Sequence, residues 1–409
     1  DTTRFNKLLD KHRETSGRGS FSDAVMAEGP LDAIRKTAGE SLFLGYEVTE
    51  ASAKVVGIIA EKQLVESIEE VGHVDPIAVV LDCTPFYGES GGQVGDTGTI
   101  AKLDALFEVI DTQRDGELVL HLGHLRQGTL RIGDSVEAEV QPQRRAGIRR
   151  AHSATHLLHH ALRTIVGPNA QQRGSKVEDD LLRFDFAHKG PLTVDELRHV
   201  EDDINARIAS GAQVETEITD QKLARERGAM MLFGEKYPDR VRMVTMGDFS
   251  VELCGGTHVS NTGQVGLCRI IGDEPVAKGV RRIVACTGTK ALERIRESET
   301  LLKEAVQTLK VQLPAEVPAR IAQLQDELRQ LKQQLAQYTR ASVAETVEAL
   351  LGESEMVGDT RLVCRRIDGV DRDTLREYAD QIRAKGKSVA LLLATEIDGK
   401  VALLAAASK

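Results

Sequence analysis

Hydrophobic positions along the chain change period several times, and each change marks an element. Phe5, Leu8 and Leu9 sit at 3–4 spacing behind an Asp1 or Thr2 cap, predicting a short helix over residues 1–14 that the Ser/Gly-rich stretch 15–22 breaks. From about Phe43 to Val140 the branched runs 54–59, 77–81, 107–110 and 118–122 predict strands, with Asp115-Gly116 and Gly133-Asp134 as turns. That stretch reads as a small barrel or sandwich. Ala154, Leu158, Ala161, Leu162 and Ile165 then recur at helical spacing. A strand follows at 181–186, and an amphipathic helix at 193–210 runs through Leu197, Val200, Ile204 and Ile208. Strands are expected at 241–246, at 250–253 and from Gly279. The mixture predicts an α+β fold, with helices on one face of a largely antiparallel sheet.

The last part of the chain has a different rhythm. Leu292, Ile295, Leu302, Ala305 and Leu309 form one stripe before Pro314 and Pro318 force a turn. Ile321, Leu324, Leu328, Leu331, Leu335 and Tyr338 then repeat 3-4-3-4-3, an a/d seam. It spans only about two and a half heptads and is marginal alone. An intrachain helical hairpin is therefore expected, with only weak homodimer pairing. Beyond Gly352 a βαββ pattern appears: 361–367, 372–384, 388–394 and 401–406, the last after an Asp398-Gly399 turn. The expected divisions are a helical remnant and linker at 1–25, a β-barrel at 26–140, an α+β domain at 141–290, a helical hairpin or coiled coil at 291–350, and a small domain at 351–409.

Composition narrows the function. The 409 residues suit about three domains, and with 3% aromatic residues and no Trp the cores must be aliphatic. A net charge of −10 excludes a uniformly basic coat, so any nucleic acid must meet a local patch. Five scattered cysteines fit a reducing cytosol better than a disulfide framework. The charged N-terminus lacks a signal core and no apolar run nears the roughly 20 residues of a membrane span, so a cytoplasmic chain with no membrane partner is expected. It begins at Asp1 rather than Met, which suggests a piece of something longer.

Candidate chemistry concentrates at two places. His152 and His156 are four apart on the predicted helix, on the side away from its apolar stripe. That spacing lets two imidazoles reach one metal at about 2.0–2.1 Å. Cys254-Gly255-Gly256-Thr257-His258 adds a thiolate and a third imidazole across a flexible bend. Three imidazoles and one thiolate favour zinc over magnesium or calcium. The protease version of such a helix carries Glu directly after the first His; here Ser153 stands there, which argues against peptide hydrolysis. Arg145, Arg149, His152 and His156 are spaced 4, 3, 4, so a phosphate-tracking stripe is expected to run up to the metal. Arg281 and Arg282 are further RNA contacts, of which one must face away because they adjoin on a strand.

Long motifs carry a resemblance. HSATHLLHHAL, QRGSKV, LRFDFAH, LFGEKYPDRVRMV, SVELCGGTHV and GVRRIVACTG closely resemble the editing region of alanyl-tRNA synthetases, and FYGESGGQVGDTG resembles the β-domain preceding it. Gly88 departs from the Ala or Pro that the family more often has after the tyrosine. The resemblance covers almost the whole chain. It implies a Zn2+ site formed by His152, His156, Cys254 and His258, hydrolysis of serine or glycine wrongly attached to tRNA-Ala, and a tRNA-binding and dimerisation domain at the C-terminal end. It also implies an aminoacylation domain that this chain lacks, and hence no activation of alanine. Gln93 is expected near the RNA terminus. Thr155, Gln93, Gln172 and Asp248 are the candidate catalytic residues, with the Thr155 hydroxyl the first choice for recognising serine. A second site is the expected remedy, because an apolar alanine pocket rejects an added hydroxyl by only about 10²-fold. A threonyl-type editing domain, a free-standing editing protein, and a non-catalytic tRNA-binding module with a structural zinc are the alternatives.

Overall fold

The computed structural model describes residues 28–69, 77–231, 237–397 and 399–408. The expected helix at 1–14, the break at 15–22, Asp398 and part of the LFGEKY motif lie outside these residues. The chain divides into two compact units, Asp1–Glu297 and Ser298–Lys409.

The first unit opens with α1 (Glu28–Ala38) and a closed six-stranded barrel: β1 (Glu50–Ala60), β2 (Ile77–Leu81), β3 (Gly98–Lys102), β4 (Ala105–Asp115), β5 (Leu118–Gln127) and β6 (Ser135–Val140). Antiparallel pairing of β6 with β1, Ser135 opposite Lys54 through Glu139 opposite Glu50, closes the ring and removes free edges. Gly116, at φ 59°, turns β4 into β5. Strand β5 is buried on both faces because Leu118, Leu120 and Leu122 pack outward against Leu31 and Ile34 of α1. The sequence left barrel and sandwich open; closure decides for the barrel.

From Pro142 the architecture becomes α+β. Pro142 stands at the first turn of α2 (Pro142–Ile165), where its missing N–H costs nothing. This helix is buried on most sides. It packs on a four-stranded antiparallel sheet containing β7 (Gln172–Glu178), β8 (Leu181–Ala187), β12 (Cys268–Ala277) and β13 (Val280–Thr287). Between these in sequence lie α3 (Val194–Ser210), then β9 (Val214–Asp220), α4 (Gln221–Glu226), β10 (Arg240–Met246) and β11 (Ser250–Leu253). Strands β9, β10 and β11 form a separate three-stranded sheet. A capping box of Thr193 and Glu196 starts α3, and left-handed Gly211 stops it. Ile148, Ala154, Leu158 and Leu162 of α2 share one core with Phe184, Phe186, Val200 and Ile204. The polar side chains of α2 are thereby drawn into the interior.

Helix α5 (Gly288–Leu309) leads towards the second unit. There α6 (Val317–Gly352) precedes a four-stranded sheet of β14 (Glu355–Val357), β15 (Thr360–Arg366), β16 (Val389–Ile397) and β17 (Lys400–Ala407), with α7 (Arg372–Lys385) crossing between parallel β15 and β16. Strand β14, which the expected βαββ pattern lacked, forms a short hairpin with β15. The seam of α6 is not covered as expected: exposure runs from 38% at Leu324 to 76% at Tyr338, and Leu302 of α5 is itself 42% exposed. The reason is where α6 is anchored. Val343, Val347 and Leu350, beyond the seam, carry its buried contacts to Val363, Leu375 and Ile382. No helix among the described residues is long and apolar enough to cross a membrane.

Candidate metal centre

The structure brings His152, His156, Cys254 and His258 together, one donor atom from each lying within 4.8 Å of the others. Cys254 Sγ lies 3.3 Å from both His152 Nε2 and His258 Nε2. The other nitrogen of each ring is held from behind. His152 Nδ1 donates to Gln93 Oε1 at 2.7 Å, His156 Nδ1 to Glu252 Oε2 at 2.9 Å, and His258 Nδ1 is 3.2 Å from Ser153 Oγ. The obligate acceptors behind His152 and His156 fix their tautomers, and the backing of all three rings turns each Nε2 towards a common point. His156 Nε2 is buried and has no hydrogen-bond partner. An orphaned nitrogen facing a thiol and two imidazoles fits a zinc ion that would complete the set.

The electrostatics favour metal-competent states for Cys254 and His258 and the protonated state for His156. Burial opposes charge on Cys254, yet His152, His258 and His156 together hold its thiol well below the usual range, towards thiolate. Burial, reinforced by His152, lowers His258 to about 3, so this ring is neutral. Burial would lower His156 as well, but the Glu252 carboxylate and Cys254 raise it to about 10.

Three segments fix the loop that carries Cys254 and His258. Arg242 of β10 donates from Nη1 to the carbonyls of Cys254 (2.8 Å) and Gly256 (2.9 Å), and its guanidinium lies 4.1 Å from the Tyr46 ring. Tyr46, just before the barrel, donates its hydroxyl to Gly255 O at 2.6 Å. A Cβ at Gly256 would come within 2.0 Å of the His152 ring, so only glycine permits this approach. The barrel supplies Gln93, fully buried: its Oε1 also accepts from Thr257 N at 2.9 Å, and its Nε2 donates to Thr257 Oγ1 at 3.0 Å. The glycine-dense loop thus grips the His/Cys cluster from behind through the Gln93 amide.

A cavity of about 680 Å³ opens beside the cluster, lined by His152, Thr155, His156, His159, Gln172 and Cys254 among others. Thr155 Oγ1 donates back to Ala151 O at 2.9 Å, as helical threonines do, and keeps only its acceptor capacity for the cavity. Gln172 Nε2 donates to Ser175 Oγ at 3.1 Å. Asp248 is not in this cavity; it is exposed in the turn between β10 and β11 and borders a separate hollow.

The arginine stripe requires correction. Arg145 is 1% exposed and paired with fully buried Asp96, and its Nη1 and Nη2 donate to Gly45 O and Pro85 O at 2.7 Å each. It pins the start of α2 to the barrel, because that side of the helix faces protein and not solvent. Arg149 is partly buried against the carbonyls of Gly45 and Tyr46. Arg281 is 8% exposed and paired with Asp273; Arg282 forms a two-point pair with Asp185 at 2.7 and 2.9 Å. Around the cavity stand Arg163, Arg225, Arg240 and Arg242, none of which the sequence singled out. Tyr46, His159 and Glu252 were likewise missed; Glu252, two residues before Cys254 in SVELCGGTH, was the one with a signal in its position.

Two family models match this chain: "tRNA synthetases class II (A)" over residues 1–144 and "Threonyl and Alanyl tRNA synthetase second additional domain" over residues 241–284, the stretch holding Arg242, Glu252, Cys254 and His258. These matches are to the class II tRNA synthetases and to the second additional domain that threonyl and alanyl enzymes share. An alanine--tRNA ligase of Acidithiobacillus ferridurans is 45% identical over 368 residues, which is 90% of this chain and 42% of that protein. The chain belongs to the alanyl-tRNA synthetase family and spans less than half the length of this curated relative.

Proposed function

We propose that this chain removes serine or glycine wrongly attached to tRNA-Ala by hydrolysing the aminoacyl ester, with residues 141–290 as the editing domain and 26–140 as the β-domain that completes its wall. The observation that carries the reading is the backed His152/His156/Cys254/His258 cluster opening onto a cavity of about 680 Å³. Zinc held by these four side chains would supply Lewis acidity for an ester carbonyl or a more acidic water. Gln93 and Glu252 hold His152 and His156 in one tautomer and Ser153 braces His258, while Arg242 and Tyr46 keep the cysteine loop from relaxing. Thr155 Oγ1, its proton already committed to Ala151 O, offers lone pairs to a seryl hydroxyl that an alanyl methyl cannot satisfy. Arg225 and Arg240, both exposed at the cavity, suit the phosphates of an incoming RNA 3′ end better than Arg145 does.

One observation favours a second reading, a tRNA-binding module whose zinc is structural: four donors converge, and four protein ligands close a tetrahedral shell. Incubating the chain with tRNA-Ala carrying serine, glycine or alanine separates the two. Hydrolysis of the first two, lost in Cys254→Ala, is expected of a deacylase. A zinc-loaded chain inert towards seryl- and glycyl-tRNA would leave the structural role.

A further inference from the structure

Beyond the four donors, the stripe of α2 that carries His152 and His156 continues through His159 and Arg163, in steps of 4, 3 and 4. All four side chains line the same cavity. Three in succession hold a buried nitrogen without a hydrogen-bond partner: His156 Nε2, His159 Nε2 and Arg163 Nε. The first belongs to the candidate metal donor set. Nothing described above uses the second, and an unpartnered buried polar atom on a residue that lines a cavity points to a ligand atom that meets it.

The chemistry of His159 Nε2 follows from what holds the ring. His159 is 2% exposed, with its ring centroid 5.3 Å from that of Phe184. Its Nδ1 lies 3.2 Å from Glu252 Oε1, and His156 Nδ1 lies 2.9 Å from Oε2 of the same carboxylate; Ser250 Oγ reaches Oε1 at 3.4 Å. An ionised carboxylate can only accept, so both rings donate from Nδ1, and in that tautomer His159 presents its Nε2 lone pair as an acceptor. The carboxylate behind the ring makes that lone pair a stronger acceptor.

We propose that His159 Nε2 accepts a hydrogen bond from the α-ammonium group of the substrate, so that the cavity selects aminoacyl esters with a free amine. The proposal rests on the deacylase reading. A site serving both seryl and glycyl esters needs a donor that both possess, and glycine has no side-chain hydroxyl. The α-ammonium is shared, and it answers the negative charge of Glu252. His159 stands three residues beyond His156, about 4.5 Å of helical rise. An ester carbonyl at the metal cluster reaches that far through its α-carbon, its ammonium and one hydrogen bond.

The test compares tRNA-Ala carrying glycine with tRNA-Ala carrying an acetyl group, which is glycine without its amine, each rate divided by its uncatalysed hydrolysis. The parent chain should favour the glycyl ester by tenfold or more in kcat/KM. His159→Phe keeps a ring and removes the acceptor; the preference should fall below threefold. His159→Gln, which restores an acceptor, should recover part of it. Zinc content, measured in each protein, reports whether Glu252 still holds His156. An active parent without the preference overturns the assignment. So does a Phe variant that retains it, or one in which both rates and zinc fall together at an unchanged ratio. A parent inert towards glycyl-tRNA is a different failure, because it removes the deacylase reading on which this one stands.

Discussion

Replacing Gln93 by Leu isolates the barrel's grip on the metal centre. The side chain keeps its approximate length and apolar body but loses an amide that serves two segments. Oε1 accepts from His152 Nδ1 at 2.7 Å and from Thr257 N at 2.9 Å, while Nε2 donates to Thr257 Oγ1 at 3.0 Å. Gln93 is fully buried, so water does not reach these groups. Two donors are left unsatisfied at about 1–3 kcal/mol each, roughly 2–6 kcal/mol in all. His152 also loses what orients it, and removing such a backing partner lowers metal affinity by roughly 10–100-fold. Urea unfolding of zinc-free protein reads the first quantity, and competition with a chelating dye reads the second. A Gln93→Leu variant with parental zinc affinity and stability within about 0.5 kcal/mol would refute the reasoning, since the amide would then be a bystander.

Two further outcomes are expected. His121, fully buried in the barrel between Val79 O and Thr84 Oγ1, is lowered to about 4 by burial, against a backbone hydrogen bond that acts the other way. The folded state therefore holds fewer protons than the unfolded one between pH 4 and about 6.5. The stability this contributes is complete above 6.5, and roughly 2 kcal/mol of it is lost by pH 5. Urea midpoints of the parent should fall more steeply with acid than those of His121→Gln, and parallel slopes would count against it. The second outcome concerns RNA: replacing Arg225 and Arg240 together by Ala should flatten the log–log salt dependence of tRNA-Ala binding by about 1.5–2, whereas an intact slope would put the phosphates elsewhere.

The sequence revealed the candidate metal donors more readily than their supports. His152 and His156 announce themselves through helical spacing, and Cys254 and His258 through a short loop, because both depend on local geometry. The partners behind the rings come from far along the chain: Gln93 is 59 residues from His152, and Glu252 is 93 from His159. No periodicity links such residues. The arginine stripe failed for a related reason. Helical spacing correctly put Arg145 in line with the histidines, but the angular position does not say which neighbour covers it. Asp96, its buried partner, lies 49 residues away in sequence, in the same glycine-dense motif as Gln93. On α6 the 3-4 spacing was plain while its cover was not, since the anchoring residues Val343 and Val347 lie past the repeat. The barrel, built from adjacent hairpins with clear turns, was legible apart from its closing pair.

The contact between Gln93 and His152 joins two bodies of structure through one ring. The barrel is therefore the fifth wall of a box whose other sides are α2, β10, β11 and the cysteine loop. A metal bound in the box would tighten the barrel against α2, and loosening the barrel would weaken its hold, because the two equilibria would share the same hydrogen bonds. A cut at residue 140 would leave all four candidate donors in the downstream piece, yet with His152 and Thr257 stripped of their anchor and α2 of the Asp96 partner of Arg145. Boundaries drawn by sheet and helix do not coincide here with the boundaries of the working part.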